Sequence, residues 1–279
     1  MSFLGVLSGL TAALVWGGAD FSGGIAARKQ NQFQVLVNFG ISGLVILIIA
    51  ALIRGEGMLD SSSIIWAVLA GLTGVFGVAA LYRGLSLGNI VGVAPVAAVI
   101  STALPVIYSL IVEGSPKPTQ FIGFAFAFAG IWLTSGSDSI KLGGKAKEGL
   151  LLAIIAGIGF SGFFILIDQV QPGKIFSPLV FTRLTSLIVA LCMVNLQRVS
   201  MPSLFSNPMA LLAGAMDAGG NVFYMIAIQF TRVDVAVVLS SLCPAFTVVL
   251  GTLILKEKLT RQHWLGVFIC LLAAVLIAV

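Results

Sequence analysis

Long apolar runs recur along the whole chain, separated by short polar connections. Ten can be drawn, at 3–26, 33–53, 63–84, 90–112, 119–136, 148–168, 178–196, 208–230, 234–255 and 262–279. Each approaches or exceeds the length a helix needs to cross a hydrocarbon layer about 30 Å thick. Hydrocarbon offers the backbone no hydrogen-bonding partner, so the runs are expected to be helices. The longest connection, 136–147, is rich in Gly, Ser and Lys and falls near the middle of the chain. It is expected to link two units, 1–140 and 148–279, of five helices each.

The two units resemble each other. A shift of 144 residues brings Gly5 onto Gly149, Trp16 onto Phe160, Gly18 onto Gly162 and Glu113 onto Glu257, and the apolar runs coincide. Five crossings per unit is an odd number, so the second unit must insert upside down. The expected fold class is an all-α membrane protein, ten transmembrane helices as two inverted five-helix repeats. Proteins built this way carry their site between the repeats, near the membrane midplane.

Polar positions inside the apolar runs locate the candidate chemistry. Asp20 lies inside the first run, where a carboxylate costs at least about 2.5 kcal/mol and so must face protein or a wet cavity. Trp16, at i−4, and Gly24, at i+4, share its helix face. In the eighth run Asp217, Asn221 and Tyr224 fall on one face, and the seventh run carries Arg183 with Ser186 at i+3. Arg183 either snorkels to the interface or pairs with an inward acid. Tyr82 in the third run completes a candidate substrate-binding set of Trp16, Asp20, Tyr82, Arg183, Asp217, Asn221 and Tyr224, amphipathic side chains suited to a small organic molecule. Arg83 and Asp168 stand near run ends. Pro95, Pro105 and Pro244 fall in the fourth and ninth runs and are candidate gating bends, because proline frees a backbone carbonyl.

Composition narrows the class. Of 279 residues, 59% are hydrophobic and 9% charged, against about 25% charged in soluble domains. The net charge of +5 sits in short connections, where basic residues orient helices and meet anionic lipid, so no nucleic-acid partner is expected. Cys192, Cys243 and Cys270 lie in apolar runs without C-x-x-C spacing and are expected to be buried packing residues. With one histidine, His263, no metal site is expected, and without a G-x-x-x-x-G-K loop no nucleotide cofactor. The stretch Gly214–Asp217 lacks the second glycine of an intramembrane aspartyl protease motif. An enzyme is therefore not expected, and that protease, or a channel, stands as the alternative. The first run is expected to serve as its own insertion signal. Ten crossings place both termini on one side, with most basic connections opposite.

Trp16-Gly-Gly-Ala-Asp-Phe21, Gly23-Gly24 and Arg28-Lys29 resemble the first-helix signature of the EamA-type branch of the drug/metabolite transporter superfamily. Ser240-Ser-Leu-Cys-Pro-Ala-Phe-Thr247, Lys256-Glu257-Lys-Leu-Thr260, Gln262 and Gly266 are similar to the pattern that closes its repeats. Pro105, Glu113-Gly-Ser-Pro116, Gln120 and Gly123 form a weaker copy in the first half. Tyr82-Arg83-Gly84-Leu85 and Phe223-Tyr224 resemble the family's third and eighth helices. The resemblance implies a multi-pass protein of the plasma (inner) membrane that moves a small-molecule substrate, a metabolite or drug-like solute, by alternating access without ATP. Asp20 and Asp217 depart from the commoner pattern, which is uncharged there, and make the proton a candidate coupling ion.

Overall fold

A backbone in lipid must satisfy its own hydrogen bonds, and every regular element in the computed structural model is accordingly a helix among the residues it describes, 2–86, 93–134, 144–200, 203–255 and 261–278. They are α1 (Phe3–Ala27), α2 (Gln32–Arg54), α3 (Ser61–Ser86), α4 (Val93–Val112), α5 (Pro118–Thr134), α6 (Gly144–Ile167), α7 (Phe176–Leu196), α8 (Pro208–Phe230), α9 (Val233–Ser240), α10 (Cys243–Leu255) and α11 (Arg261–Ala278). Six of them, α1 to α3 and α6 to α8, are long and apolar enough to span; the apolar stretches Val96–Val112, Pro118–Leu133, Val233–Thr247 and Trp264–Ile277 supply four more. The ten expected spans are present, but the ninth is broken into α9 and α10. Its sequence explains the break. Pro244 has no N–H to donate to the Ser240 carbonyl, and the Ser240 hydroxyl turns back to the carbonyls of Ala236 and Val237 at 2.8 and 3.1 Å.

Packing follows the repeat. α1 lies along α8 as α6 lies along α3; α4 packs on α6 as the α9–α10 pair packs on α1; α2 meets α8 as α7 meets α3. The pairs α2–α7 and α5–α11 map onto themselves. Exchanging the halves leaves this network unchanged, which is what a twofold axis between them requires. Small residues set the spacing, as in other lipid-embedded bundles. At Gly130 of α5, a Cβ would stand 2.7 Å from Cys270 Sγ of α11, so the two backbones could not approach as they do. Leu14, Ile49, Ile107, Leu151, Ile188 and Phe268 are exposed and face outward, where lipid rather than water would cover them.

The connections sort into two faces. The first carries the start of α1 and the α2–α3, α4–α5, α6–α7 and α8–α9 connections; the second carries the α1–α2 and α7–α8 connections. Asn31 and Gln34 form a capping box at the start of α2, with bonds of 2.9 and 3.1 Å. Gly55 ends that helix at φ +62°, a conformation a side chain would resist. Asp60 opens α3: the hydroxyl and backbone N–H of Ser63 donate to its carboxylate and hold its pKa below the usual value. The remaining first-face contacts cross between repeats. Glu56, between α2 and α3, accepts the N–H groups of Ile175, Phe176 and Ser177 at 3.0, 2.9 and 2.8 Å, placing an anion on the positive end of α7. Arg232, ahead of α9, bonds Asp234 at 2.9 Å and the Gly114 carbonyl at 2.6 Å, with Glu113 at 3.6 Å. Glu113 of the first-half motif thus anchors the α4–α5 connection to the second repeat.

Part of the connection 136–147, residues 256–260 of the closing motif and residues 87–92 lie outside the described residues. Arg83 is exposed and pairs with Glu148 at 3.7 Å on the second face, so it sits at the interface rather than in the interior.

Glu56→Ala should lower the thermal midpoint of the detergent-solubilised protein, through a loss of about 1–3 kcal/mol from donors left without an acceptor. Glu56→Gln, which keeps one amide oxygen, should lose less. Equal midpoints for wild type and Glu56→Ala would remove the clamp from the account.

Candidate functional site

A cavity of about 150 Å³ is lined by residues of both halves. Trp16, Asp20, Tyr82, Arg183, Asp217 and Asn221 line it together, although they come from α1, α3, α7 and α8. Tyr224, the seventh residue of the expected set, is not part of the lining. It is 0% exposed and packs behind Trp16, with ring centroids 5.9 Å apart, and against Phe164 at 4.9 Å. Among the described residues its hydroxyl has no hydrogen-bond partner.

Polar chemistry gathers on one side. Arg183 Nη2 donates to Asp217 Oδ2, and Asn221 Nδ2 donates to the same oxygen at 2.7 Å. Of the two outcomes open to Arg183 from sequence, pairing with an inward acid is the one realised. The Arg183 side chain is 6% exposed and Asp217 19%, so both ions are largely removed from solvent. The guanidinium carbon also lies 4.5 Å from the centroid of the Phe39 ring, a cation–π contact that steadies it. Asp20 is placed differently. Its Oδ2 accepts a bond of 3.8 Å from the Cys243 thiol, and among the described residues no cation lies within ion-pair distance of it. Cys243 is therefore a cavity residue, contrary to its expected packing role. Cys192 is likewise not buried but exposed on the outer face of α7; Cys270 is buried as expected.

Aromatic rings make up much of the remaining lining: Phe160, Phe163 and Phe164 of α6 with Trp16, and Phe39 beside Arg183. Trp16 and Phe160, Ala19 and Phe163, Asp20 and Phe164, and Phe39 and Arg183 are each 144 residues apart, and all eight line the one cavity. The repeat relation is thus visible in the site itself, with different residues at paired positions. Phe160 was within reach of sequence reasoning through its match to Trp16. Phe163, Phe164 and Phe39 were not, because nothing local separates them from other apolar helix residues.

The prolines divide. Pro95 is the third described residue of α4, whereas Pro105 lies inside that helix, and Pro244 is the second residue of α10 and lines the cavity. A proline denies a donor to the carbonyl four residues earlier. For Pro105 and Pro244 those carbonyls belong to Ser101 and Ser240, and both serines line the cavity. Ser186, which the sequence places on the Arg183 face, and Ser101, Thr182, Ser240 and Ser241, which were not expected, add hydroxyl residues to the lining. One reason they carry little sequence signal is that Thr182, Ser186 and Ser240 also bond back to their own helices. Gly23 lets the Tyr82 ring in from α3: a Cβ there would run into the Tyr82 hydroxyl.

Comparison with known proteins agrees with this architecture. The family model for the EamA-like transporter family matches residues 3–136 and again 147–279. The chain belongs to the EamA-like transporter family, as two successive copies of its repeat. A Listeria innocua serovar 6a protein named as a candidate sugar uptake protein is 28% identical over 164 residues, and its Listeria monocytogenes serovar 1/2a counterpart is 29% identical over the same length. The match covers 57% of this chain and 57% of the length of each relative. A crystal structure that is 20% identical superposes with a TM-score of 0.78 over 98% of this chain and 95% of its own, and so shares the fold.

Two outcomes are expected of substitutions here. Removing one member of a buried ion pair costs about 3–5 kcal/mol because the other is stranded. Arg183→Leu and Asp217→Leu should each destabilise the protein on that scale, and the double variant should lose less than the sum, measured by denaturant titration in micelles; strict additivity would mean that the pair is not coupled. Pro244→Ala, which restores a donor to the Ser240 carbonyl, should slow transport while leaving the yield of monodisperse protein unchanged. Parallel loss of both would reduce Pro244 to a structural role.

Proposed function

We propose that the protein is a secondary transporter that carries a small polyhydroxylated solute of the sugar class across the plasma (inner) membrane by alternating access, with the proton as coupling ion. The observation that carries the reading is one cavity, lined by both repeats, that brings polar groups and aromatic rings together. A sugar presents hydroxyls around its edge and a weakly apolar C–H face. Asp20, Asn221, the Asp217–Arg183 pair and the lining serines Ser101 and Ser241 suit the first. The rings of Trp16, Phe160 and Phe164 suit the second. A volume of about 150 Å³ is below the range of about 300–1,000 Å³ usual for drug-sized ligands, which favours a small metabolite over a drug. The names of the two Listeria relatives point to the same class of cargo.

Two inward carboxyls also suit proton exchange, and they divide the work. Asp217 is engaged by Arg183 and Asn221, while Asp20 faces a thiol, so Asp20 is the candidate proton carrier. The same inequality speaks against the alternative of an aspartyl protease, which needs two carboxyls sharing one proton. A channel is less well supported, since a buried ion pair and closely packed rings occupy its path.

The test is uptake of radiolabelled monosaccharides by proteoliposomes with and without an imposed pH gradient. Accumulation of at least one sugar is expected, dependent on the gradient in wild type. In Asp20→Asn the gradient should no longer drive accumulation, while sugar exchange at equal pH persists. Failure of every sugar in a panel of hexoses, pentoses and polyols would end the sugar reading. Intact gradient-driven uptake in Asp20→Asn would end the proton assignment.

A further inference from the structure

A layer of four rings closes the cavity toward the first face. Trp16 and Phe164 lie 5.7 Å apart between centroids, Phe163 and Phe164 5.6 Å, and Phe164 and Tyr224 4.9 Å. Beyond them is a polar vestibule lined by Glu113, Asp168, Gln229 and Arg232, together with Ile228. Asp168 is four residues past Phe164 and Ile228 four past Tyr224. The rings are therefore one helical turn, about 6 Å, from the vestibule.

The repeat relation says what stands in the corresponding place on the other side of the axis. Phe163 maps to Ala19, Phe164 to Asp20 and Trp16 to Phe160, and all six residues line the cavity. In an inverted-repeat carrier the second state is reached when each half takes up the conformation of the other. The α1 face then closes toward the second face as the α6 face now closes toward the first. We propose that the four-ring layer is the closed first-face gate, and that the second-face gate closes around Asp20, the counterpart of Phe164, only when the charge of Asp20 has been neutralised.

The inference rests on the alternating-access reading above and adds to it the residue that governs closure. Phe164 is buried in its layer, and an unpaired carboxylate in such a place is strongly disfavoured. Among the described residues, the groups facing Asp20 offer no spare cation. Cys243 of α10 contributes a thiol, Tyr82 of α3 a phenol and Asp217 of α8 a second acid, while Arg183 of α7 is held by Asp217. α2 and α9 add Leu36, Phe39 and Ser240 to the lining, none of them charged. Neutralisation must therefore come from a proton or from a cargo group bonded to the carboxylate. Either one makes closure conditional on loading, which is what separates coupled transport from leak.

Distances between spin labels test this without any sugar. In a Cys192→Ala background, one pair at Lys29 and Lys147 reports the second face, and another at Ser115 and Pro172 reports the first; all four positions are exposed. Lowering the pH should shorten the second-face distance and lengthen the first-face distance in wild type. One linked proton changes the ratio of the two populations by at most about tenfold per pH unit. Asp20→Asn should favour the second-face-closed population at every pH, and Asp20→Glu should keep the pH response. An Asp20→Asn protein that responds like wild type, or whose second face stays as open as that of wild type at high pH, overturns the proposal. Phe164→Asp provides the converse test if Asp20→Asn fails to fold: it should make closure of the first face depend on low pH, and an unresponsive first-face pair in that variant also overturns the proposal. Because cargo is absent, failure here would leave sugar uptake untouched, and failure of sugar uptake would leave these distances interpretable.

Discussion

The ion pair between Arg183 and Asp217 ties α7 to α8 at the depth where the cavity forms. A charge at that depth is tolerable only when paired, so the geometry of both helices is bound to the continued presence of both ions. Phe39 of α2 stacks on the guanidinium and Asn221 bonds the carboxylate, which extends the constraint to a third helix and along the face of α8. The pair also leaves Asp20 without a cation. Had Arg183 turned toward Asp20, α1 would hold the salt bridge and Asp217 would be the exposed acid. The assignment of roles to the two carboxyls thus follows from a single choice of partner.

Repetition supplies the frame and substitution supplies the function. Helix pairings survive exchange of the halves, yet residues related by the repeat differ in chemistry where they meet the cavity: Trp16 with Phe160, Asp20 with Phe164, Phe39 with Arg183. A symmetric lining would present the same groups to both sides of a bound molecule. The asymmetric one presents rings and hydrogen-bonding groups at paired positions, so a molecule bound there would meet different chemistry from each repeat.

Much of this was legible in the chain. Apolar runs gave the ten spans because lipid permits little else, and an odd number of helices per repeat gave the inversion by counting. Asp20, Arg183 and Asp217 announced themselves because charge is rare in such surroundings. The aromatic wall did not, since Phe163 and Phe164 look like any other lipid-compatible residues until the fold brings them together. The break after Ser240 was only half visible: Pro244 signalled a bend, but not that the helix would end and begin again. The partner of Arg183 also required the fold, as two acids were available and sequence distance does not discriminate between them. Glu56 was missed because a carboxylate in a short connection carries no mark of the helix end it will meet across the repeat boundary.

The thinness of the ring layer has a bearing on how such a protein can change over time. A proposed gate one turn deep would have no redundancy, so its positions would tolerate exchange of one bulky ring for another far better than loss of a ring. The cavity wall behind it is under no such restriction on its polar side, where hydroxyls and amides can be traded without opening a path through the membrane. Diversification of cargo would therefore be expected to proceed on the Asp217–Asn221 side while the aromatic side stays fixed. Specificity and membrane integrity are in this way entrusted to separate sets of residues around one small cavity.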